Sequence, residues 1–154
     1  MVVHPPYNDL HLHIEALRQH DLLVEVDRPI DKDSEMHSLV RWQFIGGMKE
    51  NERKAFLFTN IHDGKGRKYQ MPVLVGGLAA NRQIYSVGMG CSIDEMQNKW
   101  DEAIKNPITP KFVDEAPCHE MIEKGVTLSQ EGNGLDALPI PVSTPGFDSA
   151  PTLS

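Results

Sequence analysis

The stretch from Leu135 to Ser154, LDALPIPVSTPGFDSAPTLS, limits what this chain can fold into more than any other part of it. Pro139, Pro141, Pro145 and Pro151 each fix φ and withdraw a backbone donor. The stretch can therefore be neither a helix interior nor a central strand, and must run extended or in turns. Leu135, Leu138, Ile140 and Val142 are apolar and call for burial. An extended segment of this kind carries a chain from one structural unit into the next, and only Ala150 to Ser154 remain for that next unit. With four prolines and no complete strand partner, the ridge of Leu138, Ile140 and Val142 is expected to be covered by another body.

The 154 residues are 40% hydrophobic, enough for one domain with a core and too few for two. A formal charge of −7 leaves no basic stripe to displace counterions from phosphates, which argues against nucleic acid and anionic membranes as partners. No apolar run reaches the length of a bilayer span, and MVVHPPYNDL has neither the charged nor the apolar region of a leader. A soluble, cytoplasmic protein is expected. Cys91 and Cys118 lie outside any C-x-x-C spacing and read as buried, reduced thiols.

Asn8 is placed to cap a helix running to about His20, with Leu10, Ile14 and Leu17 at helical spacing toward a core. His11 and His13, two apart on that helix, point about 200° from each other and cannot share an ion; both read as solvated surface residues. LLVEVD before Pro29 reads as a short strand. Asp33 or Ser34 opens a second helix carrying Met36, Leu39, Val40 and Phe44, closed by Gly46 and Gly47, with Trp42 off its stripe. AFLFTN and MPVLVG read as neighbouring strands, joined by the surface connection IHDGKGRKYQ. Ala79 to Val87 reads as a helix with Ile84 and Val87 inward, ended by Gly88 to Gly90. Ser92 and Glu95 form a capping box opening a helix with Ile93, Met96, Trp100, Ala103 and Ile104 on one face, which Pro107 stops. Beyond Thr109 the chain is loop-rich, with strand-like stretches near 120–122 and 126–128.

Chemical motifs are sparse. Gly64 and Gly66 around Lys65 lack phosphate-loop spacing and read as a turn, and the glycines at 76, 77, 88 and 90 do not form a dinucleotide fingerprint. Cys91 precedes a helix N-terminus, where a thiolate is favoured, but no base accompanies it in the sequence. Cys118 and His119, adjacent on an extended strand, would point to opposite faces.

The run APCHEMI, the segment LDALPIP and the following PGFDSAPTLS resemble, in order and spacing, the first third of UbiD-type decarboxylases. The motif falls on Leu135, Leu138, Pro139, Ile140 and Pro141, and the earlier order LLVEVDRPID, AFLFTNI, PVLVGGL resembles the family's N-terminal α/β unit. The resemblance implies a reversible, non-oxidative decarboxylase of aromatic or α,β-unsaturated carboxylic acids. Its cofactor would be prenylated FMN, with a divalent metal (manganese) and potassium at the phosphate, and it would be a homo-oligomer. It also implies that the metal ligands and a Glu-Arg-Glu proton-handling set lie beyond Ser154. No catalytic or metal-binding residue is then assigned within the chain. Ser154, near the place of a threonine close to the flavin phosphate in relatives, is the cofactor-binding candidate; Asp148 and Ser149 are assigned to structure.

The fold expected is α/β (α+β): a small mixed sheet of two to four strands with packed helices in residues 1–110. Residues 111–154 would be a linker, a proline-rich arm and the first strand of a largely missing split β-barrel. The chain would then be the N-terminal part of a UbiD-like enzyme, inactive alone, whose partner is the remainder of that enzyme. A small non-catalytic subunit or assembly module of a multi-subunit carboxylase is the second reading, and an independent thiol enzyme the third.

Overall fold

The computed structural model describes residues 7–142. In chain order the regular elements are α1 (Leu10–Gln19), β1 (Leu23–Val26), β2 (Ile30–Asp31), α2 (Met36–Ile45), β3 (Ala55–Phe58) and β4 (Ile61–His62). They continue with β5 (Lys68–Tyr69), β6 (Val73–Val75), α3 (Arg82–Met89) and α4 (Met96–Lys105). Two three-stranded mixed sheets result, ordered β1-β3-β6 and β2-β4-β5, where the sequence suggested one.

Both sheets grow from one interrupted parallel pairing. β1 lies parallel to β3 with Leu23 opposite Ala55, and β2 lies parallel to β4 with Ile30 opposite Ile61. A parallel pair needs a return crossover, which α2 supplies. Between the two pairings stands Pro29, which has no N–H to give. The Asn60 side chain bridges the gap by donating to the Asp27 carbonyl at 3.0 Å, and the ladder resumes with Ile30 N–H donating to Asn60 at 3.0 Å. The IHDGKGRKYQ connection is thus more than a surface loop: its ends are β4 and β5, an antiparallel hairpin that completes the second sheet.

β3 divides the core by strand alternation. Phe56 and Phe58 face a cluster of Ile30, Met36, Val40, Ile61 and Tyr69, covered by α2. Ala55 faces the cluster of Leu17, Leu22, Ala80 and Ile84, built by α1 and α3. Val87, packed against this second cluster, and Ile84 take the inward places expected of them.

The helix ends differ in detail from expectation. Asp9, not Asn8, caps α1, its carboxylate accepting the Leu12 N–H at 2.9 Å. Neither Asp33 nor Ser34 caps α2; their N–H groups turn back to the Asp31 carboxylate at 2.7 and 3.2 Å, and helix begins only at Met36. Asn81 caps α3 through the Ile84 N–H at 2.7 Å, so Ala79 and Ala80 lie outside the helix. Gly90 ends α3 at φ 61°, a left-handed conformation that a side chain would resist. At Ser92 the hydroxyl donates to the Glu95 carboxylate at 2.7 Å, and the same carboxylate accepts the Ser92 N–H at 3.0 Å.

Residues 120–122 and 126–128 are not strands; 3-10 turns occupy Pro117–His119 and Gly125–Ser129. In the described part of the proline-rich arm, Pro139 is buried and Leu138, Ile140 and Val142 are half-buried against the domain, while Leu135 stays exposed. Among the described residues, no helix is long and apolar enough to cross a membrane.

Candidate functional site

The residues singled out in the sequence do not converge. Cys91 is partly buried and Cys118 exposed, against the expectation that both are buried. Cys91 sits in the turn after α3, where its N–H donates to Ser86 O at 3.3 Å and its carbonyl accepts the Ser86 hydroxyl. Cys118, His119 and Glu120 are all exposed. His11 is exposed as expected, but His13 is buried, its Nε2 donating to the Gly77 carbonyl at 2.7 Å. The signal missed was its place three residues before Ala16 and four before Leu17, on the face of α1 that packs inward. Ser154, Asp148 and Ser149 lie outside the described residues.

The densest polar arrangement is on the β2-β4-β5 sheet. The Asp63 carboxylate caps the hairpin turn, accepting the N–H groups of Lys65 and Arg67 at 2.9 Å each and the Tyr69 hydroxyl at 3.3 Å. Burial pushes the Asp63 carboxyl up, but those three donors outweigh it and hold the group below the ordinary aspartate range. Glu35 is held low by the Asp31 N–H it accepts at 2.9 Å, with Arg28 3.5 Å away. Burial first, then the Asp63 charge, push the Tyr69 hydroxyl up. A general acid or base working near neutrality needs a carboxyl raised toward pH 7. Glu35 and Asp63 are moved the other way, so they serve as fixed anionic caps.

Sequence reasoning missed this cluster. The available signal was Arg67, just before β5, two residues from Tyr69 within it. For Lys32, buried beside them, no local signal exists.

The described residues contain no group of three or more histidine, cysteine, aspartate or glutamate side chains placed to hold a metal ion. The depressions among them are shallow; one of about 390 Å³ is lined by Arg82, Tyr85, Ile93, Met96, Gln97 and Trp100. These residues offer no ligand set for a divalent metal, and no chemical step is assigned to them.

What does stand out is uncovered apolar surface. The stripe of α4 faces solvent instead of the core, with Trp100 52% and Ile104 67% exposed. Ile108, Phe112, Val113, Met121 and Ile122 are exposed as well. Exposed apolar surface of this kind is characteristic of interaction sites.

Residues 14–104 match the 3-octaprenyl-4-hydroxybenzoate carboxy-lyase N-terminal domain. No curated protein matches the sequence. Among solved structures, the UbiD-class enzyme HmfF from Pelotomaculum thermopropionicum in complex with FMN aligns at 25% identity and a TM-score of 0.65, over 86% of this chain and 26% of its own. An evolved dimeric form of the same enzyme with prFMN aligns at 25% identity and 0.66, over 88% and 28%. The vanillic acid decarboxylase of Sedimentibacter hydroxybenzoicus, in an open form, shares the fold at 22% identity and a TM-score of 0.64, over 90% and 28%. The chain therefore spans little more than a quarter of the length of the structures it matches.

Proposed function

The chain belongs to the UbiD family of carboxy-lyases through its N-terminal domain, and we propose that it acts as the N-terminal unit of a reversible, non-oxidative decarboxylase of aromatic or α,β-unsaturated carboxylic acids. The observation that carries this reading is the family match over 14–104, in a chain whose fold also aligns with UbiD-class enzymes beyond that range. Residues 1–110 form the α/β unit of the proposed assembly, and residues 111–154 lead into a flavin-binding body. Prenylated FMN, a divalent metal and potassium would be held by residues other than those described, with Ser154 the candidate cofactor contact in this chain.

The described residues have a mechanical part in this reading. The apolar stripe of α4 and the exposed side chains between Ile108 and Ile122 offer surface to the flavin-binding body, and burying them would drive the association. The same surface supports a second reading, a small non-catalytic subunit docking on a separate catalytic chain of an oligomer.

The test is to produce the chain within a UbiD-type polypeptide, or together with a partner chain, in cells that make prenylated FMN. Flavin absorbance and exchange of substrate carboxyl with labelled carbon dioxide are then followed over a panel of aromatic and unsaturated acids. Exchange in the assembly, with no flavin held by the 154-residue chain alone, is the expected result. A flavin-loaded assembly inert toward the whole panel would overturn the decarboxylase reading, and stoichiometric flavin on the isolated chain would overturn the assignment of the cofactor site elsewhere.

A further inference from the structure

Two cations of the second sheet reach out of the domain to the same short segment. Lys32, 6% exposed, follows β2 and continues its ladder, its N–H donating to His62 O at 2.8 Å. Its ammonium lies 2.5 Å from an Asp33 carboxylate oxygen, 3.1 Å from the Ile140 carbonyl and 5.9 Å from the centre of the Tyr69 ring. Arg67 lies with its guanidinium carbon 5.1 Å from the centre of that ring. It donates to the Asp136 carboxylate at 2.8 Å and to the Gly132 carbonyl at 3.1 Å. The same Asp136 oxygen accepts the Gly132 N–H at 2.8 Å, closing a loop of three residues. Gly132 holds φ +91°, and a β-carbon there would come 3.3 Å from Arg67 Nη2, so glycine suits both the turn and the contact.

We infer that Lys32 and Arg67 are positioning residues that strap the segment from Gly132 to Ile140 onto the β2-β4-β5 sheet, and so fix its path across the domain. A buried ammonium is costly unless its donors are met. The two acceptors of the Lys32 ammonium are the neighbouring Asp33 and the arm itself, so lifting the arm would leave the charge under-coordinated. Both cations lie within cation–π distance of the Tyr69 ring, an attraction worth more where water is excluded. The segment from Gly132 to Ile140 is thereby held as part of the domain. That it leads toward a flavin-binding body rests on the decarboxylase reading; the strap itself does not.

Hydrogen exchange on the intact 154-residue chain tests the strap. Lys32→Met keeps the volume and removes the charge; Arg67→Gln and Asp136→Asn break the other attachment. Exchange in peptides covering 132–142 is expected to rise roughly tenfold in Lys32→Met and in Arg67→Gln, since each loses hydrogen bonds to a charged group. Peptides of β1 and β3 should not change. Arg67→Gln combined with Asp136→Asn should raise exchange by less than the product of the two single effects, because the pair shares one contact while each residue also holds Gly132 by a bond of its own. Unchanged exchange over 132–142 in the charge-removing variants, or full additivity of the Arg67 and Asp136 substitutions, would overturn the inference. Should Lys32→Met raise exchange everywhere, the Arg67 and Asp136 variants, at the exposed end of the strap, still decide it.

Discussion

Gln43 sets both ends of its side-chain amide on the backbone of Lys54, donating from Nε2 to the carbonyl at 3.0 Å and accepting the N–H on Oε1 at 2.9 Å. The side chain is only 3% exposed, on the face of α2 turned toward the start of β3. It acts as a one-residue strand partner, tying the crossover helix to the strand it delivers.

Gln43→Leu keeps the bulk but leaves two backbone groups of Lys54 without partners. The expected loss is about 2–4 kcal/mol, since each unmet buried group costs about 1–3 kcal/mol. Urea unfolding with an unchanged m-value would read it directly. A loss under about 0.5 kcal/mol would mean that water replaces the amide and that the contact does not hold α2 to β3.

His13 and His11 give a paired comparison on one helix. His13→Ala removes the donor to the buried Gly77 carbonyl and should lower stability by about 1–3 kcal/mol. His11→Ala, at an exposed position, should stay within about 0.5 kcal/mol. Equal effects at the two positions would contradict the burial of His13.

At the start of α4, the Ser92 hydroxyl and then its N–H hold the Glu95 carboxyl below the ordinary glutamate range. A carboxyl depressed on folding stabilises the fold above its unfolded pKa, about 4.3, and that support fades as pH falls through the lower folded value. Wild type should therefore have a higher denaturant midpoint than Glu95→Gln at pH 7, and the two should converge below about pH 4. A difference that persists unchanged into acid would remove the charged cap from the explanation. Ser92→Ala should lower the midpoint in the same direction at neutral pH.

Much of the fold was legible in the residues because its causes are local. The helical spacing around Met36 and Val40, the strand character of LLVEVD and AFLFTN, and the glycine that ends α3 all act within a few residues of their own position. The Ser92 and Glu95 capping box was legible for the same reason. The candidate site was not legible, since no residue singled out for chemistry lies in the polar cluster of Asp63, Arg67, Tyr69 and Lys32.

What the sequence by itself determined is the four helices and the strands β1, β3 and β6, because backbone propensity and capping are properties of adjacent residues. Only the tertiary structure decided which faces are covered. The stripe of Ile93, Trp100 and Ile104 has the spacing of a core-facing helix yet lies open. His13 and Lys32, polar by type, are buried because Gly77, 64 residues away, and Ile140, 108 residues away, bring acceptors to them. Periodicity states that a helix has two unlike sides, and burial depends on what the rest of the chain brings against each of them.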